Sequence, residues 1–184
     1  NAKVYTSKTI QYTGVAPWQN LPEFPTTVPA PFEPLRVNVA KRQVDLAMWD
    51  RKYQFADSLL PTAIQSRGRQ ALSAPAQFKI GGVAVVPDSF TARSKAPVRF
   101  EFDAGKTDAA YDLNQKAWIE YDGVFYNTIE LKAKKALGAV TLSIPIPAKY
   151  AKFLHATRAG FGGGGRVNLW LDKNQELPYY PSVW

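Results

Sequence analysis

Two pairs of closely spaced carboxylates, Glu101 with Asp103 and Glu120 with Asp122, are the residues of this chain best spaced for hydrolytic chemistry. Cleavage of a glycosidic bond asks one carboxyl group to act as acid and a second as base or nucleophile across the scissile bond. Residues two apart on a strand share a face, so the spacing is suitable. Asp122, however, stands before Gly123 between two alternating runs, and a turn accounts for it better than catalysis does. His155 is the single histidine and there is no cysteine, which removes multi-histidine and thiolate metal sites, thiol nucleophiles and disulfides. The glycine run Gly162–Gly165 lacks the Gly-Lys-Ser/Thr of a phosphate-binding loop and no helix pattern follows it, so it reads as a loop. No catalytic residue, metal or cofactor is expected of these residues.

Aromatic side chains offer a second kind of chemistry. Trp118, Phe161, Trp170, Tyr179, Tyr180 and Trp184, with Arg166 among them, could stack on the C–H face of a sugar or anchor a contact between domains. Ordinary packing is the leading reading, an inter-domain interface the next, and carbohydrate contact the third.

The elements that must position these residues are mostly strands. Leu35, Val37 and Val39 alternate with polar residues, as do Val44, Leu46 and Met48, on either side of Lys41-Arg42. Tyr53 with Phe55, then 63–66, 77–80, 83–86, 90–94 and 98–102, continue the pattern between Pro and Gly punctuation. Gly81-Gly82 and Asp122-Gly123 are hairpin turns, the second joining 116–121 to 124–132. Val140, Leu142 and Ile144 form another strand, stopped by Pro145. Pro147 suits a first helical position, and Tyr150, Phe153 and Leu154 give a helix over Ala148–Ala156 an apolar face. Val167, Leu169 and Leu171 close the series.

Residues 1–34 precede this core. Residues 1–14 read as one extended segment, and prolines 17, 22, 25, 29, 31 and 34 make a linker or a strap laid across the domain. Residues 35–184 are expected to form the sandwich domain. The last stretch, Leu177 to Trp184, reads as the approach to a downstream domain.

Composition fits this reading. Apolar residues make up 46% and aromatic residues 13%, far from the make-up of a disordered chain. Fourteen prolines and twelve glycines favour short elements joined by turns. Lys and Arg number 23 against 15 Asp and Glu, a net +8, but the cations are scattered and read as a solvated surface more than as a nucleic-acid stripe. No run approaches the ~20 apolar residues of a membrane span.

The motifs, taken in order, carry a resemblance. Arg51, Tyr53, Phe55, Leu60, Pro61, Ile64, Ser66, Gly68, Leu72, Ala74 and Pro75 come first, then Glu120–Gly123, Leu142–Ile146 and Tyr150–His155. Between Val44 and Trp184 the chain resembles the non-catalytic N-terminal β-sandwich of large bacterial glycoside hydrolases related to family 123, the β-N-acetylgalactosaminidase-like enzymes. Arg67 and Ser73 depart from that pattern. The resemblance implies a catalytic (β/α)₈ barrel downstream in the same polypeptide, to which no position of this sequence corresponds, and a periplasmic or extracellular setting.

The expected fold is all-β, a twisted two-sheet antiparallel β-sandwich with one short helix near the C-terminus. The expected role is an accessory domain that packs on and shapes a glycoside hydrolase barrel. Two other readings stay open: a stand-alone carbohydrate-binding module, and a capsid-like assembly subunit whose basic surface meets nucleic acid.

Overall fold

A computed structural model describes residues 26–157 and 166–170. Strands β1 (Arg36–Ala40), β2 (Gln43–Met48), β3 (Arg51–Ala56), β4 (Ala63–Ser66) and β5 (Arg69–Gln70) form one antiparallel meander in chain order. Its turns are tight enough to place Lys41, Asp50 and Arg67 at positive φ, beside Gly68. The hairpin β6 (Gln77–Ile80) and β7 (Val83–Ala84) turns on Gly81 and Gly82, both at positive φ, as a two-glycine turn allows. A second meander follows: β8 (Ser89–Lys95), β9 (Arg99–Thr107), β10 (Tyr111–Glu120) and β11 (Phe125–Ala133). Strand β12 (Val140–Ser143) then returns to pair with β6, giving a three-stranded sheet in the order β12-β6-β7. A separate pair, β13 (Phe153–Thr157) and β14 (Arg166–Trp170), completes the described strands.

These sheets make a β-sandwich with one whole layer and one divided layer. Alternation along β9 sends Phe100, Phe102 and Ala104 inward, and along β10 it sends Tyr111, Leu113, Gln115, Ala117 and Ile119 inward. Phe100, Phe102, Ala117 and Ile119 pack against Val44, Leu46, Met48, Tyr53 and Phe55 of the five-stranded sheet. Ala104, Tyr111 and Leu113, further along the same strands, pack against Leu59, Leu60, Leu72, Ala76, Ile80 and Val85. Gln115, only 1% exposed, stands between the two groups in the β10 sequence. Its Nε2 donates to Leu59 O (2.5 Å) and to Asn127 Oδ1 (2.9 Å), so the amide ties the loop after β3 to β11 where the partner layer is divided. Phe102 centres the aromatic packing, with Phe55, Phe90 and Phe100 at centroid distances of 5.4, 5.1 and 5.5 Å.

The Asp122-Gly123 hairpin forms by a different turn from the two-residue one expected. Gly123 N donates to Glu120 O (2.9 Å) and only Gly123 is at positive φ (85°), a β-turn followed by a left-handed glycine. Asp122 Oδ1 accepts from Val124 N (2.9 Å), the turn role that its position implied. The opposite sheet clamps this turn: Arg51 Nη1 donates to Asp122 O (2.6 Å) and the Tyr53 hydroxyl to Gly123 O (2.9 Å).

The helix expected over Ala148–Ala156 does not form. After Pro147 the chain makes a turn, with Tyr150 N and Ala151 N both donating to Pro147 O (2.8 and 3.2 Å), and then enters β13. A nine-residue helix gains little on its own, whereas Phe153–Thr157 gains a full antiparallel ladder against Arg166–Trp170. Of the Pro-rich segment, residues 26–34 are described. Phe32 meets Trp49 and Tyr121 edge-on at 5.1 and 5.2 Å, and Leu35 N donates to Pro97 O. Among the described residues no helix is long and apolar enough to cross a membrane.

Candidate functional site

The outward positions of β9, β10 and β11 gather the first group of candidate residues. Register sets Trp118 of β10 opposite Tyr126 of β11 on one side and Glu101 of β9 on the other, while Glu120 faces Arg99. The Trp118 and Tyr126 rings lie 5.0 Å apart and within 11° of parallel, close to the spacing of neighbouring strands. From the β9 side the Arg99 guanidinium lies 4.4 Å from the centre of the Trp118 ring. Arg99 Nη2 donates to Glu120 Oε1 (3.0 Å) and Nη1 to Glu101 Oε1 (3.4 Å). Trp118 is thus held between a cation and a second aromatic ring. Tyr126 is 53% exposed among the described residues.

The carboxylates that the sequence singled out share this surface. Glu101 and Asp103 do lie on one face, and Asp103 accepts from Arg93, with Nε at 2.6 Å. Each acid of the two pairs therefore has a structural partner: Arg99 for Glu101 and Glu120, Arg93 for Asp103, and the Val124 amide for Asp122. The carboxyl groups whose acidity is displaced lie elsewhere, and all move down. Hydrogen bonds from Lys106 and the Thr107 amide lower Asp88, those from the Ala110 and Tyr111 amides lower Asp108, and that from Lys134 lowers Asp112. A general acid requires the opposite displacement. Burial raises Tyr53 and Tyr111, which keeps both hydroxyls protonated and fit to donate. Among the described residues no group of three or more His, Asp or Glu could hold a metal ion.

Of the remaining candidates, Arg166 and Trp170 lie at the two ends of β14, opposite Thr157 and Phe153. Phe161, Tyr179, Tyr180 and Trp184 fall outside the described residues. His155 lies on β13 opposite Asn168.

A second surface contains none of the expected residues. Strand β12 pairs with β6 on one side, with Val140 opposite Ile80 and Leu142 opposite Phe78. Paired residues point to the same face, so Val140 and Leu142 continue the apolar face that Ile80 and Phe78 turn to the core. They overhang it. Val140, Leu142, Ile144 and Ile146 are 47%, 60%, 55% and 52% exposed, a row of aliphatic side chains at a period of two.

Sequence reasoning missed Arg99 and Tyr126 as site residues, although strand alternation alone sets both on the face of Trp118. It read Val140, Leu142 and Ile144 as one more strand stopped by Pro145. A period-two pattern states which residues share a face and is silent on what covers them.

Among the described residues, fold and surfaces together define an all-β, two-layer sandwich domain with one self-contained aromatic face and one exposed apolar edge. Residues 37–174 match the family described as glycoside hydrolase 123, third domain, and the chain belongs to it. The family description makes the domain third, where an N-terminal place was expected. No curated protein and no solved structure matches the chain.

Proposed function

We propose that this chain is a non-catalytic accessory domain of a glycoside hydrolase-like protein, packing on and helping to shape a catalytic barrel carried elsewhere in the same polypeptide. The family match over residues 37–174 carries the reading, since a third domain belongs to a protein with other domains. The engagement of Glu101, Asp103, Glu120 and Asp122 by arginines and by a turn amide supports it, because acids held this way are not poised across a substrate.

The test is turnover of aryl N-acetyl-β-galactosaminide by the 184-residue chain and by its parent polypeptide. The parent is expected to turn it over and the chain alone is not. Within the parent, the pair Glu101→Gln and Asp103→Asn should leave kcat within about twofold, as removal of acids outside the chemistry does. Turnover by the chain alone, or a collapse of kcat in that double variant, overturns the reading.

A further inference from the structure

We propose that the free edge of β12 is a docking strand, onto which a neighbouring domain of the same polypeptide adds an extended apolar segment flanked by acidic residues. The choice of partner rests on the reading of this chain as one domain of a larger protein.

Backbone direction comes first. Gly81 N donates to Ala139 O, and Ser73 N donates to Pro145 O, both at 2.9 Å. Odd-numbered residues thus turn their backbone groups toward β6 and its neighbours. In an antiparallel ladder the alternate residues face the other way. Val140, Leu142 and Ile144 therefore present their N–H and C=O groups outward, where no described strand pairs with them. Pro145 falls on an odd position, so its missing N–H is on the β6 side and leaves the outer ladder intact.

Side chains at these same three positions are aliphatic and about half exposed, while Thr141 and Ser143 take the polar face. Sheet proteins usually blunt such an edge with a charge, a bulge or a proline on the exposed ladder. None of these devices occurs between Val140 and Ile144. A strand added here would gain main-chain hydrogen bonds and bury Leu142 and Ile144 together, the usual physics of strand addition.

Charge selects the occupant. Lys135 precedes the strand, Lys149 and Lys152 follow it, and all three are exposed. A second copy pairing antiparallel about Leu142 would bring the Lys135 flank of each chain toward the Lys149 flank of the other. Like charges so placed oppose association, and a segment with acidic flanks is favoured.

Amide hydrogen exchange at Val140, Leu142 and Ile144, compared between the 184-residue chain and its parent polypeptide, tests the proposal. These amides should exchange at least about 100-fold more slowly in the parent, since an opening that frees a ladder amide is then required. In the parent, Leu142→Glu should restore fast exchange at all three, with Ile144→Glu in its place where the first variant fails to fold. Equal exchange in chain and parent overturns the proposal. Protection that appears in the chain alone and grows with its concentration also overturns it, in favour of self-pairing. Activity of the parent is read separately: protection without glycosidase turnover keeps the docking edge and sinks the accessory role.

Discussion

The outer face of the β9–β11 meander and the free edge of β12 are both exposed, and they are built on opposite principles. On the first, every conspicuous group has found a partner: Tyr126 for one face of Trp118, Arg99 for the other, and Glu101 and Glu120 for the guanidinium. On the second, aliphatic residues paired on one side only stay about half exposed, and three backbone ladder positions have no partner strand among the described residues. Conspicuous side chains are not a measure of availability. Cation–π, stacking and ion-pair geometry can satisfy a surface completely, whereas a valine or leucine on an open edge has only water to meet.

The largest way to break this comparison is from beneath. Phe102 supports the meander by packing on Phe55, Phe90 and Phe100, so Phe102→Ala should lower stability by about 3–5 kcal/mol in urea unfolding. A loss under about 1 kcal/mol would mean that the sheet is not the rigid base assumed for its outer face.

The direct contrast is Trp118→Ala against Leu142→Ser. The first removes a stacked pair, a cation–π contact and part of a half-buried indole, and is expected to lose about 2 kcal/mol. The second alters an exposed side chain and should stay within about 0.5 kcal/mol. Equal effects would erase the distinction between a satisfied face and an available edge.

Gly123 sharpens the point at the end of the satisfied face. At φ 85° an added Cβ would run into Arg51 Nη1, the group that clamps the turn. Gly123→Ala should therefore lower thermal stability by about 1–2 kcal/mol, from left-handed strain and a displaced clamp. An unchanged melting temperature would show that Arg51 moves aside freely.

Acid should act gently on both regions. Asp88, Asp108 and Asp112 are held below the ordinary value of 3.8, chiefly by Lys106, the Ala110 amide and Lys134 respectively. A depressed carboxyl stabilises the fold above its unfolded value and loses that contribution as pH falls through its folded value. Melting temperature should stay level from neutral pH to about 5 and fall below 3.8. A decline beginning near pH 6 would contradict these shifts.

Much of the fold was legible because alternation and turn chemistry are local. The paired runs on either side of Lys41-Arg42, the Gly81-Gly82 hairpin and the strands meeting at Asp122-Gly123 all formed where apolar spacing and glycine required them. The first half of β10 was harder to read. Asp112 and Asn114 make it look polar, yet Tyr111, Leu113 and Gln115 between them are among its most buried residues. The helix over Ala148–Ala156 failed because three apolar positions, Tyr150, Phe153 and Leu154, are too few to hold so short a helix without a packing partner. Pairing with Arg166–Trp170 decided the matter.

The sequence by itself determined the all-β class, the hairpins, the absence of thiol and multi-histidine chemistry, and the family. These follow from side-chain type and short-range spacing. Tertiary structure alone decided which surfaces are spent. Whether Trp118 is a platform depends on Arg99 and Tyr126 arriving from two other strands, and whether Leu142 is core depends on an outer neighbour that no described strand supplies. Both are outcomes of strand pairing, which brings Arg99 to Trp118 across 19 positions and Leu142 to Phe78 across a longer stretch, and no local pattern encodes what a neighbour leaves uncovered.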